Sequence, residues 1–275
     1  MRALLIAAVV LATAPAAYAD ARPLRVCADP NNLPFSNQAQ QGFENRIVAI
    51  VARELAATPT YTWWAQRRGN IRETLTEGLC DVIPGVASEL ELLATTDPYY
   101  RSTYVFVTRA DRKLELTSLD DQRLRSLRIG VQMIGDDFSN TPPAHALARR
   151  GVVDNVRGYM VYGDYAEDQP SRLIIEDVAR GVLDVAAVWG PLAGYLARKQ
   201  PGVLRLAPIA ADPRSPTLPM TFAVSMGVRR EDRALLHALN GALQRRRAEI
   251  DAVLAEYGVP RADQNAFRKD AKTQK

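Results

Sequence analysis

Two sets of alternating β-strand and α-helix signals constrain this 275-residue chain more than any other feature of its sequence. In the first set, short apolar strands are predicted at residues 24–28, 60–64 and 80–83. Segments with apolar residues at helical spacing separate these strands, at residues 43–55 and 71–77. Such an alternation is typical of a parallel sheet covered by helices, so the first set predicts one α/β unit with its own core.

A second set of the same kind follows a polar stretch at residues 108–112. It predicts strands at residues 127–131, 159–162 and 182–189 and helices at 144–149 and 171–180, with further strands at 104–107 and 221–228 and a long amphipathic helix closing the chain. The chain is long enough for two such units, each with a separate core.

The chain is expected to cross twice between the units, near residues 108–112 and in the proline-rich stretch 208–219. Two crossovers make a hinge, and ligands of α/β sheets bind at the carboxyl ends of the strands. The predicted division therefore places residues 20–108 and 220–260 in a first lobe and residues 109–219 in a second lobe. Residues 261–275 form a polar tail.

The amino terminus has the features of an export signal. Arg2 precedes an apolar run at residues 4–13, and Ala17, Tyr18 and Ala19 form a small-x-small cleavage site. The apolar run is too short to span the ~30 Å hydrocarbon core of a bilayer, which argues against the alternative of a membrane anchor. We therefore predict a signal peptide at residues 1–19, a periplasmic location and no membrane insertion of the mature chain.

Composition argues against several classes of function. The 35 Lys and Arg residues nearly balance the 31 Asp and Glu residues. The one basic cluster, at Arg245, Arg246 and Arg247, lies on a predicted helix without interleaved aromatic residues, which is typical of a solvated helix face rather than of a nucleic-acid site. Two His and two Cys residues offer no zinc spacing, and no P-loop or Gly-x-Ser-x-Gly motif occurs. No cofactor is predicted.

Four segments carry a resemblance to a known family. Residues 24–35, 71–82, 95–100 and 250–260 resemble the corresponding parts of the family 3 extracellular solute-binding proteins. The resemblance extends over nearly the whole mature chain. It implies an α/β, bilobed periplasmic-binding-protein-like fold of type II, in which two α/β lobes are joined by a two-strand hinge.

Five further segments narrow this resemblance. Residues 61–69, 99–107, 135–137, 140–148 and 188–195 look like the MxaJ and XoxJ proteins of methylotrophs. Those periplasmic proteins are tied to PQQ-dependent methanol dehydrogenases, so the resemblance implies a role in assembling or activating such an enzyme through partner binding. XoxJ-type proteins accompany the lanthanide-dependent enzyme and MxaJ-type proteins the calcium-dependent one. The sequence leans slightly to the XoxJ type, and both remain open.

The cleft lacks the two charges that an amino-acid receptor of this fold uses. An arginine would pair with the ligand carboxylate and an acidic side chain with its ammonium group. The first position falls near Leu90 and Glu91, and no arginine lies between Arg72 and Arg101. The second position falls near Trp189, an apolar ring. We therefore expect weak binding of common amino acids.

Asp136 and Asp137 alter a loop that would otherwise bind an anion. Such a loop offers Gly, Ser and Thr donors to an acidic ligand group, whereas one carboxylate at 4–6 Å would repel that group by roughly 3–4 kcal/mol. Helix capping explains the two residues most simply, and a metal site is the weak alternative.

Aromatic, amide and charged side chains are expected to line the mouth of the cleft instead. Aromatic and arginine side chains are the types that most often anchor protein–protein contacts. The candidate ligand- or partner-binding residues are Asn31, Asn32, Phe35, Trp64, Arg67, Arg68, Tyr162, Asp164 and Trp189.

Three functions follow from these observations. The first is a periplasmic protein that binds and assists a PQQ-dependent methanol dehydrogenase. The second is the substrate-binding receptor of an ABC importer for a small solute other than an amino acid. The third, an enzyme, needs a poised acid or base in the cleft, for which Glu44 and Asp164 are candidates without an evident second member. We therefore predict a protein that is not an enzyme.

The two cysteines are expected to pair. In the fold that the resemblance implies, the first and third strands are neighbours, and Cys27 lies in the first strand while Cys80 begins the third. Two cysteines in an exported chain favour a disulfide. We predict a Cys27–Cys80 disulfide, with two buried free thiols as the alternative.

Overall fold

The computed structural model describes residues 22–88, 90–134, 140–161, 165–167 and 169–262; the predicted signal peptide and most of the predicted tail lie outside them. The strands are β1 (Arg22–Ala28), β2 (Asn31–Asn32), β3 (Ser36–Asn37), β4 (Ala57–Trp63), β5 (Ile83–Ala87), β6 (Ala94–Thr95), β7 (Tyr100–Arg109), β8 (Ile129–Met133), β9 (Val156–Met160), β10 (Val185–Trp189), β11 (Leu204–Pro208) and β12 (Thr221–Val228). The α-helices are α1 (Phe43–Glu54), α2 (Pro142–Arg149), α3 (Leu173–Ala179), α4 (Gly190–Arg198), α5 (Arg233–Arg245) and α6 (Arg247–Glu256). No helix within these residues is long and apolar enough to cross a membrane.

The first lobe consists of β1, β4, β5, β6 and β12 with α1, α5 and α6. β1 pairs in parallel with β4, and a bridge between Val26 and Val82 connects it to the start of β5. Helix α1 covers this sheet with Phe43, Ile47 and Val51, which recur at helical spacing and are fully buried. The apolar face of α1 and the two closing helices thus share one core.

The second lobe is built around β10. This strand runs antiparallel to β7 and parallel to β8, and β8 is in turn parallel to β9 at the sheet edge. One face of the sheet packs on α3 and α4 through residues such as Ile175 and Leu192. The other face packs on α2 and the 114–127 segment through residues such as Phe106 and Leu147. A sheet covered on both sides explains why β10 is almost entirely apolar.

Strands β7 and β12 connect the lobes. The first part of β7 pairs with β12, from Tyr100 to Thr103, whereas from Tyr104 onwards β7 pairs with β10 and β11. The bilobed α/β fold predicted from the sequence is therefore confirmed. The lobe boundaries at residues 108 and 220 remain a proposal, and the packing of Tyr104 and Phe106 in the second lobe favours a first crossover nearer residue 103.

The predicted disulfide is present in the first lobe. Cys27 and Cys80 are bonded, both are buried, and their Cα atoms lie 5.5 Å apart. The bond closes a loop between residues 53 positions apart, which the chain-entropy model values at about 4 kcal/mol of stability.

Two helix predictions were wrong in detail. The closing helix is not continuous, because it is interrupted at Arg246 between α5 and α6. The break allows Leu243 of α5 and Ile250 of α6 to reach the same core. The helix predicted at 71–77 is a short π-helical turn, Arg72–Thr76, that Gly78 ends with a positive φ of 73°.

Candidate functional site

A cavity of about 380 Å³ lies between the two lobes. Both lobes contribute to its wall, and the side chains are mainly aromatic, amide or aliphatic. The aromatic residues are Phe35, Tyr100, Tyr104, Trp189 and Phe222, and the polar ones are Asn32, Glu44, Gln66, Gln132, Thr141 and Ser171. Its size is that of a small-molecule or side-chain pocket.

Three rings form an aromatic cluster where the chain passes between the lobes. The ring centroid of Trp189 lies 5.2 Å from that of Tyr104 and 5.8 Å from that of Phe222. Trp189 also packs against the cores of both lobes. Tilted and edge-on ring pairs at these distances are favourable, so the cluster gives the cavity a rigid apolar wall.

A tight loop before α1 sets the first-lobe side of the cavity. The side-chain oxygen of Asn45 accepts hydrogen bonds from the backbone N–H groups of Asn37 and Gly42, at 3.1 Å each. Gly42 packs so closely that a Cβ there would lie 1.9 Å from the carbonyl oxygen of Phe35. These contacts fix Phe35 and the first turn of α1, and with them the next residue, Glu44.

Glu44 is a buried carboxyl group in the cavity wall. Its side chain is 2% exposed, and among the described residues no hydrogen-bond donor or basic group pairs with it. Its carboxyl group lies directly against Gly85, where a Cβ would come within 2.3 Å of Oε1. Burial, together with the charge of the Asp29 carboxylate, raises the pKa of Glu44 to about 8.

Asp29 is buried as well, but it is fully hydrogen-bonded. Its carboxylate accepts from the backbone N–H groups of Asn31, at 2.8 Å, and Gln66, at 2.7 Å. The hydroxyl group of Tyr165, which belongs to the second lobe, donates a third hydrogen bond to it. Asp29 therefore connects the first-lobe loops to the second lobe. Its carboxylate is used in these hydrogen bonds, and Glu44 is the carboxyl group that lines the cavity.

Contacts between the lobes continue across the mouth of the cavity. The side-chain amide of Asn31 donates to the carbonyl oxygen of Glu167 at 2.9 Å. The guanidinium group of Arg67 lies 4.9 Å from the ring centroid of Tyr165, a cation–π arrangement. We call these two contacts, together with the Tyr165–Asp29 hydrogen bond, the interlobe latch.

The structure distributes the predicted site residues over three locations. Asn32, Phe35 and Trp189 line the cavity, and Asn31 and Arg67 belong to the interlobe latch. Trp64 and Arg68 lie outside the cavity wall, and Trp64 is 44% exposed. Tyr162 and Asp164 lie outside the described residues, as do Asp136 and Asp137. In the part of the chain that is described, no group of three His, Cys, Asp or Glu side chains could hold a metal ion.

Several cavity residues were not predicted from the sequence. The side-chain oxygen of Gln132 accepts from the backbone N–H of Trp189 at 2.7 Å, and its carbonyl oxygen accepts from the hydroxyl of Thr141 at 2.6 Å. A glutamine at the end of an otherwise apolar strand is a sequence signal that could have identified Gln132 as a site residue. Tyr104 and Phe222 gave no such signal, because strand alternation does not show which lobe a connecting strand faces.

The Leu90 region does not reach the cavity. Leu90 packs against the cluster around the disulfide, and β5 contributes Gly85 and Ala87 to the wall instead. No lysine or arginine is among the described residues that line the cavity. As far as the chain is described, the wall therefore offers no cationic side chain to a ligand carboxylate.

This chain is similar in sequence and fold to several known proteins. The model of the bacterial extracellular solute-binding proteins, family 3, matches residues 24–259. Protein MoxJ of Paracoccus denitrificans is 35% identical over 269 residues, covering 92% of this chain and 94% of that protein. The crystal structure of periplasmic binding protein XoxJ from Methylobacterium extorquens AM1 is 38% identical with a TM-score of 0.71, covering 88% of this chain and all of that one. MxaJ from Methlophaga aminisulfidivorans MPT is 25% identical with a TM-score of 0.72, covering 86% and 99%.

Proposed function

The chain belongs to family 3 of the bacterial extracellular solute-binding proteins, and from that premise we propose that it is a periplasmic partner-binding protein of a PQQ-dependent methanol dehydrogenase. Its cleft would bind a segment of the dehydrogenase and thereby assist assembly or activation of that enzyme. Similarity to MoxJ and XoxJ over about nine-tenths of the chain supports this assignment.

The observation that carries the proposal is the chemistry of the cavity wall. Amino-acid receptors of this fold hold their ligand with paired charges, whereas the described residues of this wall join five aromatic rings to one buried carboxyl group. Aromatic side chains at a rigid apolar wall suit the anchoring of a polypeptide segment. The importer receptor for a small solute is the rival, and it makes the opposite prediction about a complex with the dehydrogenase.

We propose binding rather than catalysis. An acid–base reaction in the cleft would need a second group within reach of Glu44. The neighbouring Asp29 carboxylate already accepts three hydrogen bonds, so it is held as a structural acceptor.

The cavity rim is proposed to carry most of the binding energy. Trp64 is exposed, Arg67 contacts Tyr165 of the second lobe, and Trp189 lines the cavity. Arg68 and Tyr162 remain proposed rim residues on the basis of the sequence. Truncation of an aromatic or arginine anchor typically costs ~2 kcal/mol or more, which is about thirty-fold in affinity.

Titration of the mature protein against the methanol dehydrogenase of the same organism tests the proposal. Binding would be followed by calorimetry, with the dehydrogenase in apo and holo forms, and its specific activity would be measured with and without the protein. We expect a complex that Trp189→Ala weakens about thirty-fold, whereas Arg247→Ala, on the remote helix α6, leaves it unchanged.

Two results would contradict the proposal in different ways. Wild-type protein that neither binds the dehydrogenase nor changes its activity would refute the partner function and favour the importer receptor. Equal losses from Trp189→Ala and Arg247→Ala would leave the partner in place but remove the cleft as its binding site.

A further inference from the structure

One ionisable side chain faces the interlobe cavity. Among the described residues that line it, Glu44 is the only carboxyl group, and the wall contains no lysine, arginine or histidine. The side chain is 98% buried and has no hydrogen-bond or ion-pair partner within the described chain. A buried carboxyl group without a partner costs stability, so its presence in a cavity wall points to a ligand that pairs with it.

The groups around Glu44 in the described part of the chain are neutral or negative. Asp29 precedes it in the loop after β1, Tyr99 and Tyr100 face it from the start of β7, and the backbone of Gly85 covers it from β5. The negative faces of aromatic rings attract organic cations and not anions. The electrostatics of the cavity therefore select a positively charged ligand group.

We propose that the interlobe cavity is a binding site for a primary ammonium group, held by an ion pair with Glu44 and enclosed by aromatic rings that include Trp189 and Tyr100. The inference deepens the proposed function and rests on it in one respect, that the cleft is where a ligand binds. The ammonium group would belong to a lysine side chain of the partner or to a free alkylamine, and the experiment below separates these sources.

Ion pairing at Glu44 must release a proton. The free protein keeps this carboxyl group largely protonated at neutral pH, since its pKa is about 8, whereas an alkylammonium ion stays charged up to a pH of about 10. Binding of the cation therefore requires ionisation of Glu44. The apparent affinity should rise about fifty-fold between pH 6 and pH 8 and level off above pH 8.

A hydrogen bond from protonated Glu44 to a ligand carbonyl or carboxylate predicts the reverse. The affinity for such an acceptor would fall as the pH rises through 8, and binding would release no proton. The sign of the pH dependence thus decides between a cation site and an acceptor site.

The test is calorimetry of the mature protein with three probes of equal length: n-butylammonium, butan-1-ol and butyrate. A fourth probe, N-acetyl-lysine methylamide, represents a lysine within a polypeptide. We expect butylammonium to bind, with close to one proton released at pH 6, as judged from the heats in two buffers of different ionisation enthalpy. Butanol and butyrate should bind at least tenfold more weakly.

Variants of one helix provide the control. Glu44→Gln preserves the side-chain volume and should abolish both the pH dependence and the proton release, while Glu44→Asp should keep the pH dependence with weaker binding. Glu54→Gln makes the same change at the last residue of α1, where Glu54 pairs with Arg245 and Arg246, and should bind the probes as the wild type does.

Each outcome decides the inference. Tighter binding of the lysine compound than of butylammonium supports a polypeptide source, and the reverse supports a free amine. Equal binding of butylammonium and butanol, no binding of either amine, or an affinity that falls with pH would overturn the cation site. If the dehydrogenase binds Glu44→Gln as tightly as the wild type and the amines do not bind, this inference fails while the proposed function stands. If the amines bind and the dehydrogenase does not, the proposed function fails and the cation site stands.

Discussion

The two lobes place their buried charges in opposite situations. The first lobe contains a disulfide and, in its cleft wall, a carboxyl group, Glu44, that has no partner among the described residues. The second lobe contains a buried ion pair instead, in which two nitrogens of Arg150 contact both oxygens of Asp212 at 2.7 and 2.8 Å. The side chains of that pair are 6% and 0% exposed.

This difference gives the lobes opposite responses to pH. Burial raises the pKa of Glu44 to about 8, so the folded first lobe resists its ionisation and loses stability as the pH rises. Hydrogen bonding from Arg150 lowers the pKa of Asp212 to about 2, so the second lobe loses stability as the pH falls.

Removal of the disulfide should have the largest effect. The double variant Cys27→Ala and Cys80→Ala should lower the free energy of unfolding by about 4 kcal/mol, measured by urea denaturation at constant pH. Hydrogen exchange should show the loss in first-lobe elements such as α1, with the amides of α3 still protected. Equal loss of protection in both lobes would show that they unfold as one unit and would break the comparison.

Glu44→Gln should stabilise the protein in a pH-dependent manner. Between pH 4.5 and 8 the unfolded chain ionises this residue while the folded protein keeps it protonated, so the wild type loses stability as the pH rises. Glu44→Gln has no ionisable group at this position and does not lose this stability. Its free energy of unfolding relative to that of the wild type should therefore increase by about 3 kcal/mol between pH 4.5 and 7. Urea denaturation at both pH values measures this.

A matched variant fixes the sign of that effect. Glu54→Gln changes a residue on the same helix. Its free energy of unfolding relative to that of the wild type should fall as the pH rises, because hydrogen bonds from Arg245 and Arg246 lower the pKa of Glu54. A Glu44→Gln advantage that does not change with pH would mean that the carboxyl group is already ionised in the folded protein.

Strands that pair in a sheet and cysteines that pair in a disulfide were predicted better from the sequence than the position of Glu44. Strand 221–228 was predicted with the bounds that the structure shows, and the disulfide followed from the implied fold. The strand rests on a local pattern, an apolar run, and the disulfide rests on two cysteines in strands that the implied fold makes neighbours. The isolation of Glu44 depends on which groups the fold leaves out of reach, and no local pattern contains that information.

The ion pair of the second lobe should give an effect of intermediate size. Asp212 stabilises the folded protein above about pH 4, and this contribution is lost as the pH falls toward 2. The wild type should therefore lose about 2 kcal/mol more than Asp212→Asn between pH 5 and pH 2.

The chain offers a close control for this measurement. Asp120 contacts the same Arg150 at 3.0 Å but is 39% exposed, so Asp120→Asn should follow the wild type within a few tenths of a kcal/mol. If both variants behave alike, the buried ion pair is not what makes the second lobe sensitive to acid.

The cleft was harder to predict than either core, because two lobes assemble it. Phe35 and Trp189 were predicted from strand ends of separate lobes, and both line the cavity. Tyr104 and Phe222 were missed because β7 and β12 pass from one lobe to the other, so that the cavity faces the middle of β7 and not a strand end. Predicting site residues from strand ends assumes that the site lies at the edge of one sheet, whereas β7 and β12 belong to both lobes.

The smallest predicted effect is that of Arg67→Ala, in the interlobe latch. Arg67→Ala removes the cation–π contact with Tyr165 but leaves the hydrogen bond from Tyr165 to Asp29. Exposed contacts of this kind contribute ~0.5–1 kcal/mol, so the free energy of unfolding should change by no more than that.

Tyr165→Phe retains the ring and removes the hydrogen bond to a buried carboxylate, which should cost about 1.5–3 kcal/mol. Because the two changes affect the interlobe latch and neither core, small-angle scattering should show a larger radius of gyration for Tyr165→Phe than for Arg67→Ala. An unchanged radius in both variants would mean that β7 and β12 alone hold the lobes together.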